Sequence, residues 1–230
     1  MNTKFLSALT ATAAATALFS AAAPAQAATF GTGGISFATN TSVKFSFRET
    51  HGMNQSALGI YEVNGTIASL VAPLFAETKK SDRGPLDEWK GTLGNTVLGS
   101  GEVVFTFLAN QIYTLGLDSG SQGTVFSSSG LNPRGRQQAV FGDQSLGDAL
   151  TLETTNRFQA AGDYTNAFSA LFNGGALISF DDRGNGNDAD FQDFTVAAEA
   201  VPEPMTMTGL ALGLGGLVAA RRRRGSKTAS

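Results

Sequence analysis

The 230-residue chain has no cysteine, one histidine and one tryptophan, and only 15% of its residues are charged. Without cysteine there is no disulfide framework, so an exported chain of this kind must hold together by packing or by bound ions. With no thiol and a single imidazole, no zinc site of the ordinary Cys/His type can be built. A Ser-His-Asp arrangement would have to use His51, which lies in "ETHGMN" just past a strand pattern and reads as a surface loop residue. The G-x-S-x-G elbow, the G-x-x-x-x-G-K-S/T phosphate loop and G-x-G-x-x-G are all missing. The chain therefore reads as non-enzymatic. A glycosidase, which needs only two carboxylates at the right separation, is the one class that leaves no such mark.

Basic residues are scarce away from the C-terminal end. Residues 28–200 hold 10 Lys and Arg against 18 Asp and Glu, a net charge of −8, although arginines near the C-terminus bring the whole chain to −3. A domain this acidic is a poor partner for nucleic acid, whose binding depends on basic groups that release counterions. Its length suits one domain with a sizeable core.

What is present alternates with period two rather than 3.6. In "TSVKFSFRE" Val43, Phe45 and Phe47 alternate with Lys44, Ser46 and Arg48, as a strand with one wet face requires. "LGIYEV" from Leu58 is a second strand, ending at Asn64-Gly65, a dipeptide that favours a type I′ hairpin. "EVVFTFL" from Glu102 is more continuously apolar and reads as central in a sheet; Asn110-Gln111 then turns it into "IYTLGL". "TVF" at Thr124, "QAVF" at Gln138, "LTLET" at Leu150, "ALISF" at Ala176 and "FTVAA" at Phe194 are weaker strand patterns. Helix signals are few: "VAPLFAETKK" near Leu74 and "DALTLE" suggest single turns. The stretches Ala76 to Thr96 and Asp118 to Gln138 read as long exposed loops. Many short strands separated by Gly, Asn, Asp and Ser predict an all-β fold, an antiparallel β-sandwich or jelly roll.

Both ends read as processing segments. Lys4, an apolar run to Ala23, and small residues at Ala25 and Ala27 form a signal peptide over residues 1–27, cleaved to leave Ala28 as the new N-terminus. At the other end Met205 to Ala220 is uncharged, about 24 Å as a helix against a hydrocarbon core of roughly 30 Å. Arg221, Arg222, Arg223 and Arg224 follow it and would keep that side in the cytoplasm. This predicts a single C-terminal transmembrane helix, marginal in length, with 225–230 as a short cytoplasmic tail.

Pro202, Glu203 and Pro204, followed by that Gly-rich apolar run and the arginine block, resemble the PEP-CTERM sorting signal over about residues 201–224. The resemblance implies a Gram-negative host, signal peptidase and an exosortase as processing partners, and a transient inner-membrane anchor. The domain would then pass to the cell surface or the extracellular matrix, with exopolysaccharide as a further partner.

The run "SFDDRGNGNDADFQDF" is the one concentration of chemistry between the ends. Asp181, Asp182, Asp188, Asp190 and Asp193, with Asn187 among them, offer the oxygen ligands that hard cations take, and Gly184 and Gly186 let the chain curl. The spacing is not an EF-hand. The competing reading is an Asx-rich turn between two strands; against it, five neighbouring carboxylates repel one another unless something positive sits among them. With Phe194 and Val196 facing inward, Phe191 falls on the outer parity, which suggests a kink before Phe194. Phe180, the two acid pairs, Phe191 and Asp193 resemble the end of an extracellular bacterial module, domain of unknown function 4114. That resemblance spans about residues 40–197 and implies a Ca²⁺ ion and a β fold, with no reaction attached. The expectation is an exported, calcium-stabilised surface or matrix protein. The alternative is a carbohydrate-binding module, for which Trp89, Tyr61, Tyr113 and Tyr164 are the aromatics suited to sugar stacking.

Overall fold

Ten consecutive residues of extended chain, Thr41–Thr50 (β3), set the pattern of the molecule: Val43, Phe45 and Phe47 are buried while Arg48 is exposed, as the alternation predicts. The structure, a computed structural model, describes residues 28–80, 90–147, 162–182 and 191–202. The segments 1–27 and 203–230 lie outside it. So do Trp89, the "LTLET" and "DALTLE" patterns, and Asn187, Asp188 and Asp190. Among the described residues no helix is long and apolar enough to cross a membrane.

The other strands are Thr29–Gly31 (β1), Gly34–Ser36 (β2), Ala57–Asn64 (β4), Ile67–Ala76 (β5), Glu102–Phe107 (β6) and Tyr113–Asp118 (β7). They are followed by Thr124–Phe126 (β8), Ala139–Gly142 (β9), Ala176–Phe180 (β10) and Phe194–Ala200 (β11), with a short α-helix at Phe168–Phe172 (α1). They form two sheets, every pair antiparallel. One runs β1-β2-β7-β4-β5, with β8 also on β7; the other runs β6-β3-β11-β10-β9. Side chains from both sheets meet in one core: Ile35, Leu58, Ile60, Leu115 and Leu117 from the first, Phe45, Phe107, Phe141, Ile178 and Val196 from the second. The fold is thus all-β and sandwich-like.

Several local expectations are corrected. The "VAPLFAETKK" segment supplies the end of β5 rather than a helical turn: Phe75 pairs with Leu58 of β4, and both Phe75 and Leu74, the extra residue at a register shift, bury into the core. β6 is an edge strand, not a central one: among the described residues only β3 pairs with it, and Val104 is 59% exposed on its outer side. The β4–β5 hairpin turns on Gly65-Thr66, with Asn64 paired to Ile67. Only Gly65 (φ +63°) has a positive φ in this turn, the pattern of a type II′ turn rather than type I′.

The two long stretches are less open than their composition suggests. In the first, Glu77 and Thr96 are buried, and Gly91 exchanges backbone hydrogen bonds with Thr50. In the second, the Asn132 side chain donates to the carbonyls of Phe126 and Arg136 and accepts from the Phe126 N–H. That stretch is therefore a cover closed on itself, with Ser127 and Ser128 buried beneath it.

The chain does bend before Phe194, with a turn at Phe191 and Gln192 and a bend at Asp193, and this accounts for the parity of Phe191. That residue is fully buried on the outer side of the second sheet, in a satellite cluster with Val140 and Leu146 that Tyr164 and Leu177 flank. A second irregularity lies further on, where Thr195 faces Glu49 and Val196 faces Phe47, leaving Arg48 as the extra residue of a β-bulge.

Candidate functional site at the neck of the acidic loop

The acidic run leaves the sandwich from the end of β10 and returns at the start of β11. Phe180 and Phe194 are paired across these strands, and the Asp193 N–H donates to the Phe180 carbonyl at 3.0 Å. The Asp182 N–H donates to Asp193 Oδ2 at 2.6 Å. The two ends of the loop are therefore pinned together.

Asp181 and Asp182 are almost wholly buried, at 0% and 2% exposure. Burying a carboxylate is expensive unless donors surround it, and donors are supplied from distant parts of the chain. Gln138 Nε2 donates to Asp181 Oδ2 at 3.1 Å, and the Asp181 N–H returns a bond to the Gln138 carbonyl. The Asn54 N–H donates to Asp182 Oδ2 at 3.0 Å, and Asn54 Nδ2 reaches the Asp182 carbonyl at 3.4 Å. The His51 N–H donates to the Asp193 carbonyl at 3.1 Å. Gly52 lies so close that an added Cβ would sit 2.5 Å from Asp182 Oδ2. Residues 51–54 thus form a cradle for the neck, and Gln138 braces its other side.

Of the six predicted cation ligands, Asp181, Asp182 and Asp193 are described and come together at this neck. Among the described residues, no group of three acidic or histidine side chains is placed to hold a metal ion. A cation held here would draw further ligands from the rest of the loop. The hydrogen bonds above are compatible with that, since an ionised carboxylate has about four acceptor positions.

His51 is not the surface residue its context suggests; its side chain is 15% exposed. Its Nε2 lies 3.7 Å from Glu49 Oε1, while Lys90 Nζ pairs with the other carboxylate oxygen. The His51 imidazole and the Lys90 ammonium outweigh burial and hold the Glu49 carboxyl down at about 2, from an ordinary 4.5. A lowered carboxyl pKa stabilises the fold above the unfolded value, and that contribution is lost as pH falls from about 4.5 through 2. Lys90→Met should flatten this acid limb, so that urea midpoints at pH 6 and pH 3 differ less than in the parent. An unchanged difference would contradict the pairing.

Of the aromatics expected to stack on sugars, Trp89 lies outside the described residues, and the three tyrosines pack against the fold. Tyr113 is 3% exposed, in the core with its ring 5.1 Å from that of Phe107. Tyr61 lies half-buried over Gly116 with its ring edge-on to Phe126, and Tyr164 packs against the Phe191 cluster. Sequence reasoning missed Gly52, Asn54 and Gln138. Asn54 meets Asp182 across 128 residues, and no local pattern marks such a contact. Comparison of the chain with protein-family models, with curated proteins and with solved structures finds no match.

Proposed function

We propose that this is an exported, non-enzymatic component of the cell surface or exopolysaccharide matrix, sorted by an exosortase and stabilised by Ca²⁺ in the 181–193 loop. One observation carries the calcium half of the reading: the loop is closed at its neck by the Asp182–Asp193 and Asp193–Phe180 bonds. The tie keeps Asp182 and Asp193 together in spite of their repulsion, which favours a bound cation. Asp181, Asp182 and Asp193 would ligate from the neck, and Asn187, Asp188 and Asp190 from beyond it. The ion's contribution is structural, holding the carboxylates together.

The sorting half rests on Pro202-Glu203-Pro204, the apolar run and the arginine block. The last sheet hydrogen bond runs from the Val201 N–H to the Ser42 carbonyl, and Val201 and Pro202 are exposed. A motif beginning there is reachable by a membrane protease. The finer reading of the fold as a jelly roll, bracketed by a signal peptide and a C-terminal membrane helix, belongs to the same proposal. Pulse-labelling of the full chain in an exosortase-bearing host tests it. The precursor should shorten after export, and replacing Pro202, Glu203 and Pro204 together with Ala should make the long form accumulate. Equal processing of both would overturn the sorting assignment.

A further inference from the structure

The outer face of the second sheet carries a groove of 510 Å³ that neither the acidic loop nor the sorting motif uses. Its floor is a cross-strand row in which Glu102, Ser46, Ala197 and Leu177 are successive partners on β6, β3, β11 and β10. Four strands at the ordinary spacing give a trench about 14 Å long, running across the strands. The middle of the row is low because Ser46 and Ala197 are small. Leu93, which lies against Gly101, also lines the groove, as do Gly174, Gly175 and Gln144.

The charges in the groove are organised. Lys44 lies between Glu102 at 3.7 Å and Glu199 at 3.6 Å, which places two carboxylates beside the trench. Arg48 is the bulged residue of β3; it lines the groove and makes no ion pair among the described residues. A bulge re-aims a side chain that regular pairing would place elsewhere. The site thus offers carboxylate acceptors, a guanidinium fork of donors, and the aliphatic surfaces of Leu93 and Leu177.

We propose that this groove binds a neutral, linear glycan lying across β6, β3, β11 and β10, with Arg48 and the two glutamates beside Lys44 on its hydroxyls. Hydroxyls both donate and accept, so they match a lining that mixes carboxylates with a guanidinium. The sugar C–H faces match the two leucines. A polyanion does not fit: the two basic groups are balanced by two glutamates, and the surrounding domain carries −8. The biological setting of this inference rests on the surface or matrix reading, but the binding itself does not.

The test uses the purified full chain in a zwitterionic detergent, which brings no sugar headgroup. It is titrated by calorimetry with maltohexaose, cellohexaose, xylohexaose and, as the anionic probe, hexagalacturonate. At least one neutral hexasaccharide should bind and hexagalacturonate should not. Arg48→Ala should weaken binding about tenfold, the loss of one charge-assisted hydrogen bond, and Ala197→Trp should abolish it by filling the trench. Arg48 is exposed, so its variant reports on the groove even if Ala197→Trp does not fold. No binding of any neutral probe, preference for the anionic one, or parent-like binding by Arg48→Ala would overturn the proposal. Because the titration uses purified protein, its failure is separate from any failure of sorting in cells.

Discussion

Phe107→Ala should destabilise the fold by about 4 kcal/mol. Phe107 is fully buried although it ends an edge strand, and four rings surround it: Phe105 at 4.9 Å, Tyr113 at 5.1 Å, Phe37 at 5.5 Å and Phe45 at 6.3 Å. Tyr113 belongs to the opposite sheet, so the Phe107 ring is one of the places where the two layers are joined. Truncation removes the buried ring, leaves a cavity among groups held by two sheets, and loses edge-to-face contacts worth up to about 1 kcal/mol each. Val104→Ala on the same strand, at an outward position, should change stability by less than about 0.5 kcal/mol. Urea unfolding of the two variants checks the contrast. Similar losses in both would mean that β6 does not face the core in this register.

The second large effect is expected at the neck. Asp182→Ala removes the acceptor of the Asn54 N–H from a site that is 2% exposed, and should cost about 2–3 kcal/mol. Gly52→Ala reaches the same contact from the other side. Its new Cβ would lie 2.5 Å from Asp182 Oδ2 and 3.2 Å from the Asp193 Cβ, so either the cradle or both acids must move, at about 1–3 kcal/mol. The double variant should lose less than the sum, because both changes break one arrangement. Additive losses in unfolding experiments would show that Gly52 and Asp182 act separately.

Much of this architecture is legible in the chain because the signal is local. β3 and β4 carry two-residue periodicity, and β7, β9, β10 and β11 fall on short apolar runs bounded by turn residues. β1 and β2 have three residues each, around Thr32-Gly33, too few to show a period. β6 reads as central because Val103, Val104, Phe105 and Phe107 are all apolar, yet Val104 faces solvent. Apolar composition does not distinguish an edge strand with a bare outer residue from a buried one.

The loop Asp118 to Gln138 reads as exposed for the opposite reason. Its serines and Asn132 are polar by composition but satisfy buried backbone groups, such as the Leu115 N–H bonded to Ser127 Oγ at 3.0 Å. The site shows the same division. The acids of the loop are visible as a cluster, whereas Gly52, Asn54 and Gln138 are brought to them only by the pairing of β11 with β3 and of β10 with β9. Arg48 becomes notable only when the register shift at Thr195/Val196 is known.

Thermal unfolding of the full chain, stripped with chelator and then followed with and without millimolar Ca²⁺, tests the central claim most directly. An ion that binds only the folded protein adds about 2.7 kcal/mol at a hundred times its dissociation constant. Asp193→Ala lowers the baseline by losing the Asp182 N–H bond, so the quantity that matters is the difference calcium makes within each protein. A calcium-dependent rise in Tm for the parent chain, absent from Asp190→Ala and Asp193→Ala, is the predicted result. No rise in the parent, or the same rise in both variants, would contradict a calcium loop and leave the neck as a hydrogen-bonded turn.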